Sequence, residues 1–235
     1  MYTSCEQLRA DIARFTEEFQ AKFNGKDGKR YIMLCGGTGC LAAGTTNMKE
    51  RFEQLIRENN LEDKAVVRTV GCFGLCSQGP FVRVFPDDVL YRLVKPTDIN
   101  DIVNSHLVGN KIVDRLIYKD PKTGIRIPKM DEIEFFRKQK RIALHGCGLI
   151  DPTKIEEALG CGAYQGLLKA LSMSPEEVIK VISDSGLRGR GGGGFPTGRK
   201  WQFAYESKAD QKYVVCNGDE GDPGAFMDRS VLEDN

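Results

Sequence analysis

Four cysteines stand in two pairs whose spacing could hold a metal centre. Cys35 and Cys40 enclose four residues, Cys72 and Cys76 enclose three, and 31 residues separate the pairs. Each pair contains glycine and follows a short apolar segment, so each is expected in a loop at the end of a strand. Four thiolates brought together by two loops can bind zinc or an iron–sulfur cluster. Structural zinc sites favour tighter spacings, so the pattern favours [2Fe–2S], with zinc or buried free thiols as alternatives.

A glycine-rich segment, residues 186–201, is a second candidate site. Five of the six residues 189–194 are glycine, a composition that suits a loop placing backbone N–H groups near an anion. Arg190 and Lys200 add positive charge, and Phe195, Trp201 and Phe203 add aromatic rings. Backbone donors, cations and rings together indicate a bound nucleotide or flavin.

Two common phosphate-binding motifs do not fit this segment. The spacing Gly189-x-Gly191-x-x-Gly194 matches the dinucleotide fingerprint, which must follow a strand. Here residues 174–185 are predicted to be a helix, because Ser174 is a good N-cap and an apolar face follows. A P-loop would need Ser or Thr where Trp201 stands. A flexible linker is the remaining alternative, but linkers are rich in Gly and Ser and seldom carry such aromatic residues.

A short β-branched segment, Tyr213–Asn217, is predicted to be a buried strand. Asn217, Asp219, Glu220 and Asp222 follow at its end. Ligands usually bind at the carboxyl ends of strands in α/β sheets, so these polar residues are binding candidates.

Residues 187–201 followed by 216–229 resemble the flavin-binding subunit of the NADH dehydrogenase (complex I) family. The resemblance is strongest to the diaphorase subunits of NAD-linked, often electron-bifurcating, iron hydrogenases and NAD-dependent formate dehydrogenases. Gly218, Gly221 and Asp222 replace the Ala, Ser and Glu usual in the respiratory members, which favours the hydrogenase and formate dehydrogenase branch. The resemblance implies that the acidic group at this position affects how readily NAD⁺ leaves, and Asp222 is shorter than the usual Glu. The cysteine spacing resembles the thioredoxin-like ferredoxin domain that partners this subunit.

The resemblance implies a role for each matching residue. It places five residues around the FMN phosphate and ribityl chain: Gly189, Arg190, Gly191, Gly192 and Lys200. It places Asn217, Asp219 and Glu220 at the ribityl chain or ring, and Phe195 and Phe203 against the NAD(H) rings. Glu220 and Asp222 are the implied catalytic residues, and Cys35, Cys40, Cys72 and Cys76 the implied ligands of a [2Fe–2S] cluster. The implied chemistry is hydride transfer between NAD(H) and FMN, followed by single-electron steps through clusters.

The predicted fold class is α/β, a thioredoxin-like [2Fe–2S] ferredoxin domain followed by the N-terminal part of an FMN-binding domain. The ferredoxin domain spans residues 1–108, a connector and lead-in segment 109–163, and the FMN/NAD-binding part 164–235. The first domain is predicted to contain a helix from about Ser4 to Asn24, strands at 31–34 and 65–70, a helix at 48–58, a hairpin at 81–93 and a helix from Pro96. Later helices are predicted at 151–159, 164–171 and from Met227.

The chain ends at Asn235, within the helix predicted from Met227. The resemblance implies that the family continues with the rest of the flavin sheet, further NAD contacts and the cysteines of a [4Fe–4S] cluster. We therefore expect a fragment or one half of a split subunit, which need not retain FMN by itself.

The balance of 34 basic and 33 acidic residues gives no reason to expect nucleic acid binding. No apolar run is long enough to span a membrane, and the polar, amphipathic N-terminus does not resemble a signal peptide, so we expect a cytoplasmic protein. The resemblance implies iron–sulfur and catalytic subunits of a hydrogenase or formate dehydrogenase complex as partners. The basic run 135–141 is either a solvated face or a docking surface. The cysteines outside the cluster are expected to behave as small buried apolar residues: Cys5, Cys147, Cys161 and Cys216. His106 is expected to be a helix-end residue.

Overall fold

The computed structural model describes residues 4–235 and divides into two compact units. The larger comprises residues 11–162 and 218–235, and the smaller comprises residues 163–217 with the described residues up to Ala10. Within residues 4–235, no helix combines the length and the apolar character needed to cross a membrane.

A four-stranded mixed sheet organises the larger unit. Its strands are β1 (Arg30–Cys35), β2 (Ala65–Val70), β3 (Val82–Phe85) and β4 (Val89–Tyr91), in the spatial order β2-β1-β3-β4. β1 is parallel to β2 and antiparallel to β3. The predicted thioredoxin-like arrangement is therefore confirmed, including the hairpin of β3 and β4.

Helices cover this sheet at the predicted positions. α1 (Cys5–Asn24) begins after Ser4, whose Oγ accepts a hydrogen bond from the Gln7 N–H at 3.2 Å. A short α2 (Thr38–Ala42), which was not predicted, precedes α3 (Thr45–Glu58). α4 (Ile99–Asp101) continues in wider turns over Ile102–Val108. Short 3₁₀ turns complete this part of the chain: Cys76–Gln78, Pro96–Asp98, Asp114–Leu116 and Met130–Glu132.

Two apolar cores lie on opposite faces of the sheet, because side chains alternate along a strand. Ile32 and Leu34 belong to one core with α3 and the helix after Pro96. Met33 and Cys35 belong to the other, which also contains Met130, Ile133 and Phe136. The cysteine at the end of β1 is thus part of a core that the connector helps to build.

The connector packs against the sheet. It forms a small hairpin of β5 (Tyr118–Lys119) and β6 (Arg126–Ile127), and the Leu90 N–H donates to the Pro128 carbonyl at 2.8 Å. Met130, Ile133 and Phe136 are buried, and α5 (Glu134–Arg137) follows. The connector therefore contributes to both cores, through Val113, Leu116 and Ile117 to the first and through Met130, Ile133 and Phe136 to the second.

α6 (Ile155–Gly160) starts later than the helix predicted from Asp151-Pro152. The Asp151 carboxylate accepts hydrogen bonds from the Thr153 N–H and hydroxyl, which hold a turn instead of a helix start. Glu157 accepts a hydrogen bond from the Asp151 N–H and forms an ion pair of 2.6 Å with Lys22 of α1. The lead-in segment is thereby fixed to the first helix.

The smaller unit contains α7 (Gln165–Ala170), α8 (Pro175–Asp184) and α9 (Thr197–Glu206). α8 is capped by Ser174 and Glu177 as predicted. The predicted strand at Tyr213–Asn217 is wrong: the backbone there has no regular structure, and Val214 is fully exposed. A buried strand needs neighbouring strands, and the described residues of this unit form none. The last helix, α10 (Met227–Asp234), begins at the predicted position and belongs to the larger unit.

Candidate functional site

The two cysteine loops meet because β1 and β2 are parallel and end side by side, with Cys35 opposite Val70. Cys35 is the last residue of β1, and Cys40 lies in α2. Cys72 follows β2 by two residues, and Cys76 begins a 3₁₀ turn. Strand register therefore delivers both pairs of cysteines to one edge of the sheet.

The four thiols form a continuous group. Cys35 is in hydrogen-bond contact with both Cys40 and Cys72, and Cys72 is in contact with Cys76. Cys35 and Cys40 are buried, Cys72 is half-buried and Cys76 is exposed. The structure thus brings together all four residues singled out as metal ligands.

Hydrogen bonds among these thiols and their burial shift the thiol pKa values. The hydrogen bond with Cys40 raises the pKa of Cys35 to about 12, and the same bond lowers the pKa of Cys40. The hydrogen bond with Cys35 raises the pKa of Cys72, and burial raises the pKa of Cys76. Four thiolates this close repel one another, and bound metal cations would relieve that repulsion. The donor set therefore fits an iron–sulfur cluster.

Glycines leave the space that the sulfur atoms fill. A Cβ atom on Gly37 would lie 2.8 Å from the Cys72 Sγ, and one on Gly79 would lie 2.8 Å from the Cys40 Sγ. The Gly74 N–H donates to the Cys72 Sγ at 3.4 Å. The role of Gly37 and Gly79 was not predicted, although glycines beside cysteines were the available signal.

Four cysteines are the number of protein ligands that a [2Fe–2S] cluster takes. Among residues 4–235, no three His, Cys, Asp or Glu side chains form a group ready for a single metal ion. A [2Fe–2S] cluster distributes four thiolates over two iron atoms, so its ligands lie further apart than those of a single metal ion.

The connector borders the cysteine site. A cavity of about 200 Å³ is lined by Cys72 and Cys76 and by Phe135, Gln139 and Arg141 from the connector. Cys147, buried and with a pKa raised to about 11 by that burial, lines the same cavity. The segment after the ferredoxin domain therefore forms one wall beside the cysteines.

In the smaller unit, the glycine-rich segment is a closed loop. The Gly189 N–H donates to the Phe195 carbonyl at 2.9 Å, and the Thr197 N–H donates to the Leu187 carbonyl at 2.9 Å. Gly192 has a φ of 96°, a conformation that glycine adopts without strain. Gly191, Gly192 and Arg190 are exposed at the tip of the loop. Backbone is thus presented to solvent without covering side chains.

The loop leads directly into α9, which was not predicted and which carries Lys200 and Phe203. The rings of Phe195 and Phe203 lie 6.4 Å apart, so the two residues implied for NAD(H) are neighbours. Gly198 packs against Ser183 of α8, where a side chain would collide with it. A cavity of about 390 Å³ lies beside this helix pair and is lined in part by Arg188 and Arg199.

The acidic candidates lie in a separate unit from the glycine loop. Asn217 ends the smaller unit, whereas Asp219, Glu220 and Asp222 belong to the larger one. The Glu220 carboxylate accepts a hydrogen bond from the Arg229 N–H at 3.1 Å. Burial raises the pKa of Glu220, but backbone N–H donors at the start of α10 outweigh it and lower the pKa. A common FMN site for all these residues stays a prediction.

The other cysteines only partly follow the sequence-based interpretation. Cys147 is buried as predicted, whereas Cys5 and Cys216 are exposed, so that prediction is wrong for them. Cys161 is half-buried, and its Sγ lies 3.2 Å from the His145 Nε2, a contact that the sequence did not predict. His106 lies in the predicted helix but is buried and contacts Tyr91 at 2.8 Å.

Two family models match separate parts of the chain. Residues 8–106 match the family model described as thioredoxin-like [2Fe-2S] ferredoxin, and residues 182–235 match the one described as Nuo51 FMN-binding domain. These two ranges include all the predicted cluster cysteines and all the predicted flavin residues.

Two curated proteins illustrate the relationship. NADP-reducing hydrogenase subunit HndC of Solidesulfovibrio fructosivorans is 59% identical over 97 residues, which are 41% of this chain and 20% of that protein. The alpha subunit of the NAD-reducing hydrogenase HoxS of Cupriavidus necator is 30% identical over 234 residues, covering 93% of this chain and 35% of that protein. The chain thus spans about a fifth to about a third of the length of these relatives.

Among solved structures, the thioredoxin-like [2Fe-2S] ferredoxin from Aquifex aeolicus matches with 31% sequence identity and a TM-score of 0.36. The match covers 39% of this chain and 98% of that ferredoxin.

Proposed function

We propose that this chain, which contains a thioredoxin-like [2Fe–2S] ferredoxin domain and residues of a Nuo51 FMN-binding domain, is an electron-transfer part of an NAD(P)-linked hydrogenase. Its role is to pass electrons between NAD(H), FMN and iron–sulfur clusters, as part of a complex with iron–sulfur and catalytic subunits. The convergence of Cys35, Cys40, Cys72 and Cys76 at one edge of the sheet carries this proposal. The two hydrogenase relatives support the link to NAD(P).

The cysteines have unequal positions in the proposed cluster site. A bound [2Fe–2S] cluster takes up and releases one electron at a time. The burial of Cys35 and Cys40 keeps water from that side, and the exposure of Cys76 leaves the other side accessible. We assign the accessible side to electron exchange.

The proposed flavin site uses the glycine loop and the residues after Asn217. The exposed backbone at Gly189, Gly191 and Gly192, with Arg190 and Lys200, suits the FMN phosphate and ribityl chain. Phe195 and Phe203 offer adjacent rings for NAD(H). Asn217, Asp219 and Glu220 complete the proposed flavin contacts, and Glu220 and Asp222 are the proposed catalytic residues. Bound FMN accepts two electrons as hydride and passes them on singly.

Electron paramagnetic resonance of the reduced chain, purified without oxygen, tests the cluster. We expect about two iron atoms per chain and a rhombic signal. Cys72→Ser should abolish the signal, whereas Cys161→Ser, the same change at a half-buried cysteine outside the group, should preserve it. Zinc without iron, or an unchanged signal in Cys72→Ser, would reject the assignment.

A second candidate is that this chain acts as an electron-transfer module without bound FMN. The observation in its favour is the exposure of the glycine loop and the absence of a strand at residues 213–217. Flavin analysis of the same preparation separates the two. Iron with FMN and NADH-dependent reduction supports diaphorase activity, and iron without flavin supports the module. Assay with hydrogen or with formate, in complex with its partners, then decides between a hydrogenase and a formate dehydrogenase.

A further inference from the structure

Positive charge is concentrated in one part of this otherwise balanced chain. Residues 111–141 contain ten Lys or Arg and five Asp or Glu, whereas the whole sequence contains 34 and 33. The segment therefore has a charge of +5, and the remainder of the chain is acidic. Most of these basic side chains are exposed. Such local asymmetry favours association with an acidic partner.

The hairpin of β5 and β6 places two cations directly opposite each other. Lys119 pairs in register with Arg126, and both are exposed. Like charges in opposed positions destabilise a two-stranded ribbon. Within residues 4–235, neither side chain forms an ion pair. The described residues thus supply no ion pair to offset this repulsion, whereas an anionic partner would supply one.

The same charge continues along the chain beyond the hairpin. Lys129, Arg137 and Lys140 are exposed, and none of them forms an ion pair with the described residues. Lys122 and Lys138 share one carboxylate, that of Glu134, at 3.5 and 2.6 Å. We call the exposed cations of this region the basic segment: Lys119, Lys122, Arg126, Lys129, Arg137, Lys138 and Lys140.

The basic segment ends beside the cysteine site. Phe135, Gln139 and Arg141 line the cavity to which Cys72 and Cys76 also contribute. Cys76 is the exposed cysteine of the group, and Phe135 is 44% exposed beside it. A protein that covers the 137–140 end of the basic segment would therefore lie next to the accessible side of the proposed cluster.

We propose that the basic segment is the docking surface of a small acidic electron-transfer protein. This inference rests on the proposed cluster, because one electron passes from the reduced cluster to the oxidised cofactor of the partner, or in reverse. Long-range attraction between opposite charges speeds the encounter, and the exposed ring of Phe135 offers an apolar contact at its end. The proximity to the cysteines favours a redox protein over nucleic acid.

Charge reversal tests the surface, with a small acidic [2Fe–2S] ferredoxin as the probe. Lys119→Glu/Arg126→Glu changes the charge by the same amount as a matched control, Lys26→Glu/Lys64→Glu. Lys26 and Lys64 are exposed and precede β1 and β2, whose first residues lie at the end of the sheet opposite to Cys35. Binding is measured by calorimetry, and electron transfer from the reduced chain by stopped-flow spectroscopy, at several salt concentrations.

The intact chain should bind and reduce the ferredoxin faster at low salt, since screening weakens the attraction. Lys119→Glu/Arg126→Glu should slow association at low salt by about tenfold or more, and the control by less than about twofold. The association rate of Lys119→Glu/Arg126→Glu should also depend less on salt concentration than that of the control variant. A basic c-type cytochrome should show no such preference for the basic segment.

Other results would overturn the proposal. Equal effects of the two double variants would mean that only net charge matters. Displacement of the ferredoxin by a short DNA duplex of equal affinity would identify a general polyanion surface. Electron paramagnetic resonance of each variant separates these failures from failure of the proposed function. An intact chain without a cluster rejects both proposals, whereas a normal cluster with charge-independent binding rejects only the docking surface.

Discussion

Gly37 stands where a side chain would collide with a proposed cluster ligand. A Cβ atom there would lie 2.8 Å from the Sγ and 3.0 Å from the Cβ of Cys72. Cys72 is held in turn by Cys35 and by the Gly74 N–H, so it has little freedom to move. Gly39, two residues further in the same loop, has no neighbouring atom within 4 Å of such a Cβ.

Gly37→Ala should therefore displace Cys72 and lower the iron content, whereas Gly39→Ala should leave it unchanged. We expect overpacking at Gly37 to destabilise the chain by about 1–3 kcal/mol. Iron analysis, electron paramagnetic resonance and thermal unfolding of both variants measure the difference. Equal iron content and equal spectra would show that the loop accommodates the methyl group.

His106 is a buried imidazole at the opposite end of the sheet. Its Nδ1 lies 2.8 Å from the Tyr91 hydroxyl, and its Nε2 lies 3.2 Å from the Asp87 carboxylate. Burial lowers its pKa, Asp87 opposes that shift, and the nearby Arg30 reinforces it. The folded protein therefore favours the neutral ring.

A group whose folded pKa is depressed in this way takes up its proton more readily when the chain is unfolded. Stability contributed by neutral His106 is complete above the unfolded pKa near 6.5 and is lost as the pH falls below it. The free energy of unfolding should decrease as the pH is lowered from 7.5 to 5.5. The decrease over that range should be smaller in the His106→Gln variant. Denaturant titrations at both pH values measure this slope. A variant with the same pH dependence as the parent would contradict the prediction.

At the scale of elements, the ion pair of Lys22 and Glu157 joins α1 to α6. The side chains are only 13% and 9% exposed, and their charged atoms are 2.6 Å apart. Removing one partner would leave the other charge buried without compensation. The pair thus fixes the lead-in segment to a helix that lies far from it in sequence.

Lys22→Met should destabilise the larger unit by about 3 kcal/mol, because the Glu157 carboxylate is left buried. Adding Glu157→Leu should restore part of the loss. Lys49→Met, which removes a solvent-exposed pair with Glu53 at 4.0 Å, is the control and should change stability by less than about 0.5 kcal/mol. Chemical denaturation provides the free energies. A loss in Lys22→Met no greater than in Lys49→Met would show that the pair contributes little.

At the scale of the whole molecule, residues 207–219 form a long exposed connection without regular structure. Extended exposed backbone is the preferred substrate of proteases. Trypsin should therefore cleave first after Lys208, and Lys208→Gln should move the first cut to Lys212. Mass spectrometry of early digestion products identifies the sites. First cleavage within the β-sheet of the larger unit would contradict this order of stability.

Local signals in the sequence were sufficient for many elements. Ser174, Pro175 and Glu177 act within one helical turn, so the start of α8 was predicted correctly. Apolar runs gave β1 and β2 because both strands are buried in the sheet. The strand predicted at residues 213–217 was wrong because its hydrophobicity cannot replace absent neighbouring strands. α9 was missed because the glycines before it concealed a helix start at Thr197.

The sequence by itself indicated which residues to propose for the chemistry, because cysteine spacing and glycine loops are local properties of the chain. It also indicated the order of strands and helices in the ferredoxin domain. Only the tertiary structure decided that the parallel ends of β1 and β2 bring four thiols together, and that Gly37 and Gly79 make room for sulfur. It alone placed parts of the connector in both cores, with Lys119 opposite Arg126 and Phe135 beside Cys76. Those features depend on contacts between residues distant in sequence, which no local pattern records.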